Sequence, residues 1–271
     1  MHDGEAVIQW YPGHMVRSMR RIAETMRMVD VVIEVLDARI PIASSNPSLD
    51  TLIGRRSRIV VLSHDDVADM AVTARWIAHF ASRRRLAVAI NAKDQQSVGR
   101  VTTPLAELLL GRGLSRAMVV GIPNTGKSAV INGLLRRNAA KTEDRAGLTR
   151  TLQWFRLKTN LEIMDTPGLL VPKIDTPTAQ WMLALCGCIP RERYDPEDVA
   201  IRFHTWLVER TLRRTRVPDL ESFARTRGFI RRGDEADMHN AARSYIKDFS
   251  DGKFGRLSFE DPPEDPPVVP V

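Results

Sequence analysis

Four short runs of the chain are continuously apolar and largely β-branched: VVIEVL at 31–36, RIVVL at 58–62, LAVAI at 86–90 and AMVVG at 117–121. Strands that read this way are buried on both faces, which is the habit of parallel sheets covered by helices. Between them, 72–83 and 104–110 are compatible with helix. Upstream, Met15, Met19, Ile22, Met26 and Val29 recur at helical spacing and predict a helix over 15–29. Its other face carries Arg17, Arg20, Arg21 and Arg27. Strands alternating with helices predict an α/β domain with a mostly parallel sheet.

Downstream, LQWFRLK (152–158) and LEIMD (161–165) flank Thr159 and Asn160, predicting a hairpin that adds an antiparallel edge strand. After Pro172 the pattern becomes helical only. Asp195-Pro196 is an N-cap followed by an N1 proline. Val199, Phe203, Trp206 and Leu207 then share one face, and Met238, Ala241, Ala242, Tyr245, Ile246 and Phe249 another. The domain reading is therefore 1–175 for the sheet domain, 176–260 for a small all-helical domain, and 261–271 for a Pro-rich disordered tail.

GIPNTGKS, Gly121 to Ser128, fits G-x-x-x-x-G-K-[ST] with an apolar strand before it and a helix-compatible stretch after it. Backbone N–H groups and a helix N-terminus suit phosphates. This predicts a P-loop NTPase with nucleotide contacts from Asn124, Thr125, Gly126, Lys127, Ser128 and Ala129. Lys127 is expected on the β- and γ-phosphates and Ser128 on Mg²⁺. Asp165 to Gly168 (DTPG) closes a strand, with Asp165 expected near Mg²⁺ and Gly168 near a γ-phosphate. Between the two motifs, Thr149 or Thr151 sits in a polar loop with the character of a switch segment.

No strand followed by N/T-K-x-D lies downstream of DTPG. The only comparable stretch is IVVLSHDD, upstream of the P-loop, where Asp66 takes the carboxylate position. A carboxylate suits the paired donors of guanine. LAVAI leads likewise into Asn91, Ala92 and Lys93. The motif order is permuted, with base reading first and phosphate binding second.

These residues carry a resemblance. IQWYPGHM (8–15), DARIP (37–41), GIPNTGKS, AGLT (146–149), DTPGLLVPK (165–173) and KFGRLSFE (253–260) span nearly the whole chain. In that order they resemble the circularly permuted ribosome-assembly GTPases of the RbgA (YlqF) family. The resemblance implies a permuted Ras-like GTPase domain and a helical module that contacts RNA and the ribosome. It implies a cytoplasmic GTPase, expected to be monomeric, that binds GTP and GDP, matures the large ribosomal subunit, binds its rRNA and leaves on hydrolysis. It points to His14 as the catalytic histidine, since Leu169 follows DTPG where other GTPases hold a water-orienting Gln. Asn124 matches the P-loop Asn of potassium-stimulated GTPases, making K⁺ a second cofactor candidate beside Mg²⁺. The metal set expected is Ser128, Thr149 and Asp165. The chain departs from the family at Ser63 and His64, which stand where Asn and Lys are usual. Ser63, His64, Asp66, Asn91 and Ala92 are the expected base-side contacts. The alternative is an rRNA-binding module of weakened guanine selectivity and little turnover.

Charge and cysteine content add little. Lys+Arg exceed Asp+Glu by 40 to 33 across 271 residues, a surplus of +7 that favours an anionic partner. Arg210, Arg213, Arg214, Arg216, Arg231 and Arg232 are candidates to meet phosphates. Cys186 and Cys188 lack the partners of a zinc site and read as packing residues. No apolar run approaches the roughly 20 residues of a membrane span.

Overall fold

The structure is a computed structural model. It describes residues 13–138, 153–157, 160–166, 174, 176–210 and 217–264, with the side chains of 13–19, 137–138 and 153 excepted. Six strands form one sheet: β1 (Val31–Asp37), β2 (Ser57–Ser63), β3 (Leu86–Ala89), β4 (Ser115–Val120), β5 (Gln153–Arg156) and β6 (Leu161–Asp165). Their order is β3-β2-β1-β4-β6-β5. All neighbours are parallel except β5, which pairs antiparallel with β6 at the edge. The hairpin and the four apolar strands thus form as the pattern predicts.

Helices cover both faces. α1 (Gly13–Met26) and α2 (Pro47–Ile53) bury Ile22, Met26, Leu49 and Ile53 against Val32, Met118 and Val120. α3 (Met70–Ser82) packs Val72, Trp76 and Phe80 on Val60 and Leu62. α4 (Gln95–Val98), α5 (Thr102–Leu108) and α6 (Lys127–Asn138) close the opposite face over Ile33, Val61 and Val119. β1 is buried along its whole length, even at Glu34 and Asp37. Burial raises the Glu34 carboxyl above its ordinary range, opposed by Arg58, whose guanidinium is 3.1 Å away.

The remaining helices are α7 (Pro177–Leu185), α8 (Pro196–Arg210), α9 (Leu220–Thr226) and α10 (Met238–Ser250). Val199, Phe203 and Leu207 of α8 face Ala241, Ala242, Tyr245 and Phe249 of α10, the two faces expected from spacing. Cys186 and Cys188 are free thiols buried in the same core. That core also takes in Ile40 after β1 and Ile122 of the P-loop, so the helical layer packs directly on the sheet's C-terminal edge.

A strap returns from α10 to the sheet. Leu257 N–H donates to Val67 O and Phe259 N–H to Arg39 O. The Glu260 carboxylate accepts from the N–H groups of Ile42 and Ala43. Asp261, assigned to the tail by composition, is paired with Arg75 and Arg210.

Candidate nucleotide-binding site

The sheet reverses its winding between β1 and β4, and ligands of open α/β sheets bind beyond the C-terminal strand ends at such a point. Five loops converge there. Asp37 ends β1, Ser63 ends β2, Asn91 follows β3, Gly121 follows β4 and Asp165 ends β6.

The P-loop leaves β4 hard against β1. A Cβ on Gly121 would lie 2.4 Å from Val35 O, so only glycine fits. Asn124 and Gly126 have φ of +61° and +89°, the left-handed turn that lets the loop curl back. Thr125 Oγ1 donates to Ile122 O at 2.9 Å. Lys127 Nζ donates to Ile122 O at 2.8 Å, so the lysine folds across its own loop. Burial lowers the Lys127 ammonium to about 8, against the opposing pull of Asp165. Ser128 stands in the first turn of α6, and Asp165 is buried at the end of the neighbouring strand β6.

The loops after β2 and β3, expected on the base side, meet this P-loop directly. A Cβ on Gly126 would lie 3.6 Å from Ser63 Cβ and 3.7 Å from Ala92 Cβ, ordinary contact distances that put the glycine beside both loops. Ser63 is fully buried, and its hydroxyl lies 2.7 Å from Thr125 O and 3.0 Å from Leu36 O. One hydroxyl proton serves the two carbonyls, and the shorter contact ties β2 to the P-loop. Asn91 Oδ1 accepts from Lys93 N–H, closing an Asx turn. Asp66 Oδ2 lies 3.7 Å from Lys93 Nζ, which brings the two base-side loops together.

His64 occupies a left-handed conformation at φ +59°. Its Nδ1 is 2.9 Å from Ser63 Oγ and 3.4 Å from Asp37 Oδ2. The Nδ1 edge of the ring is thus directed inward. Burial lowers the imidazole below its ordinary value, against the attraction of Asp37.

Asp37 and Arg39 form the buried anchor beneath this loop. Arg39 Nε and Nη2 donate to the two carboxylate oxygens at 2.9 and 2.6 Å. Burial pushes the Asp37 carboxyl up, and Arg39 more than offsets it, leaving the group below its usual range. The guanidinium also sits 5.2 Å from the Phe249 ring centre of α10. Sequence reasoning assigned these two residues no role. The available signal was an Asp closing an all-apolar strand with an Arg two positions on.

Asn124 Nδ2 donates to Gly187 O in the loop after α7, at 2.6 Å. His14 lies in the first turn of α1, and its side chain is outside the described residues, as are Thr149, Thr151, Gly168 and Leu169. Among the arginines offered for phosphates, Arg210 and Arg231 are instead paired with Asp261 and Asp237. Arg213, Arg214 and Arg216 lie outside the described residues.

A P-loop after β4, a buried carboxylate on the next strand and the loops after β2 and β3 packed on the P-loop make up the site of a P-loop GTPase domain. The family model described as 50S ribosome-binding GTPase matches residues 116–189. Ribosome biogenesis GTPase A of Bacillus cereus is 34% identical, covering 95% of this chain and 95% of its own. That of Thermotoga maritima is 32% identical, covering 96% and 97%. The solved GDP-bound YlqF superposes with a TM-score of 0.71 at 30% identity, covering 90% of this chain and 99% of that one. The chain belongs to the ribosome biogenesis GTPase A family and is a GTPase.

Proposed function

We propose that this GTPase binds GTP across the C-terminal edge of its sheet, docks on the rRNA of the large ribosomal subunit and leaves when GTP is hydrolysed. The observation that carries the nucleotide half is Ser63 reaching the P-loop backbone at Thr125 O, with Gly126 beside both Ser63 and Ala92. Phosphate binding and base reading then share one rigid frame.

In this reading Asp66 accepts from the two parallel donors on the guanine edge, and the Lys93 stem lies beside it. Asn91 and Ala92 line the base from the next loop, and Asn124 to Ala129 wrap the phosphates, joined by Gly168. Burial lowers Lys127 to about 8, which leaves it mostly charged at neutral pH, and a phosphate beside it favours the charged form further. GTPases use Mg²⁺, and the hard oxygen donors Ser128 and Asp165 on adjacent elements fit that ion, with Thr149 as third ligand. Bound there, it would neutralise charge on the phosphate oxygens. Asn124 is the candidate K⁺ ligand. His14 orients the attacking water, a role within reach of a neutral imidazole.

The second reading, an rRNA-binding module with weakened guanine choice, is favoured by one observation: His64 is engaged with Ser63 and Asp37. The partners proposed are GTP, GDP and the large subunit, with the protein acting as a cytoplasmic monomer. No helix among the described residues is long and apolar enough to cross a membrane.

The test is competition of GTP against ATP, ITP and XTP in Mg²⁺, with Lys127→Ala as the non-binding control. GTP is expected to win clearly, and turnover to rise with added large subunits and be lost in His14→Ala. Equal binding of all four nucleotides would favour the second reading.

A further inference from the structure

At the opposite end of the same strands, five arginines surround a cavity of about 340 Å³: Arg55, Arg56, Arg58, Arg84 and Arg85. Arg55 and Arg56 come from the turn before β2, Arg58 from the start of β2, and Arg84 and Arg85 from the turn before β3, all at the strands' N-terminal ends. β2 has seven residues, so roughly 20 Å separates this cavity from the loop that follows Ser63. No carboxylate lines it.

Three of the five are held in place. Arg56 Nη1 donates to Ile53 O at the end of α2. Arg58 pairs with Glu34 and Asp50, and Arg85 approaches Asp50 at 4.0 Å. Arg55 and Arg84 are exposed, and neither side chain has an ion-pair or hydrogen-bond partner among the described residues.

Arg84 also occupies an unfavourable position. The chain leaves α3 with Arg85 N–H on Phe80 O and Arg84 N–H on Ala81 O, a Schellman closure. Arg84 is the left-handed residue of that closure, at φ +55°, where glycine is the usual occupant. A long cation stands at a position where the backbone favours glycine, beside Arg55, which likewise has no partner among the described residues.

We propose that this cavity is a binding site for the phosphodiester backbone of RNA, a second ribosomal contact remote from the nucleotide. Arginine suits phosphate because its planar donor fork meets two oxygens at once. Arg56, Arg58 and Arg85 shape the cavity wall, Arg58 and Arg85 facing Asp50, and the exposed Arg55 and Arg84 meet the phosphates. The site rests on the rRNA-docking reading above and adds where that contact lies.

The experiment compares the full-length protein with Arg55→Ser, Arg84→Gly and the pair, binding to purified large ribosomal subunits over a salt series. Arg84→Gly relieves the backbone, so its melting temperature is expected to be unchanged or higher. The double variant is expected to bind subunits about tenfold more weakly, with a log K against log salt slope shallower by roughly 2. Its GDP affinity should match the parent protein's. Unchanged subunit affinity and slope in the double variant would overturn the site and leave the docking reading intact. Weaker binding with an unchanged slope would also overturn it, as an indirect effect. A parent protein that does not bind subunits at all would overturn both.

Discussion

At the scale of single residues, Ser63 shows how a departure from a family pattern is read differently once its neighbours are known. By residue type alone it is a shorter, weaker substitute for asparagine, with one hydrogen bond to offer. The structure shows where that bond goes: to Thr125 O, in the P-loop, from a fully buried hydroxyl. The alignment of β2 with the P-loop is invisible in sequence because 62 positions separate the partners. Ser63→Ala should therefore do more than remove a contact. It leaves a buried carbonyl without its donor and loosens the P-loop from the base-side loop. A loss of about 1–2 kcal/mol is expected for such a group, or roughly 5- to 30-fold in nucleotide affinity. Titration of a fluorescent GDP analogue into the variant checks this. Affinity equal to the parent protein's would mean that the tie contributes nothing to the bound state.

At the scale of elements, apolar runs and strongly patterned helices were legible, and several short helices were not. The apolar runs of β1 to β4, the hairpin of β5 and β6 and the helical period of α8 and α10 are readable without any partner. α2, α4 and α9 have seven, four and seven residues, too few turns for a period to stand out. They form through caps instead: Asn46, Asp94 and Asp219 each accept a backbone N–H of the first turn. α4 matters to the site because it begins just beyond the Asn91 turn and packs on α6, the helix that Lys127 begins. Gly133 of α6 is the flat spot that permits this packing. A Cβ there would lie 2.6 Å from Val98 Cγ1. Gly133→Ala tests which of two opposed effects wins. Helix propensity favours alanine by about 1 kcal/mol. Overpacking against Val98 costs about 1–3 kcal/mol, so net destabilisation is expected. Urea unfolding measures it, and a more stable variant would show that Val98 yields and that α4 is not rigidly seated.

At the scale of the whole molecule, the change from alternating strands to helices marked where the helical part begins, but not how it is attached. The attachment pairs residues 37–43 with residues 249–260, and contacts so far apart leave no local periodicity. Its centre is the Asp37–Arg39 pair, which touches His64 on one side and Phe249 on the other. Replacing both members of a buried pair with uncharged side chains of similar size is often neutral, whereas removing one leaves an uncompensated charge at a cost of about 3–5 kcal/mol. Arg39→Ala leaves Asp37 fully buried with no guanidinium against it. Its carboxyl then loses what holds it below the usual range, and burial drives it up. Arg39→Ala is expected to be destabilised by that 3–5 kcal/mol, whereas Asp37→Asn with Arg39→Met should stay within about 1–2 kcal/mol of the parent protein. Nucleotide affinity should fall in the single variant, because Asp37 supports the His64 loop. Unfolding curves for the two variants, with GDP titration beside them, separate these effects. A single variant as mild as the double would show that the pair does not join the sheet to the helices.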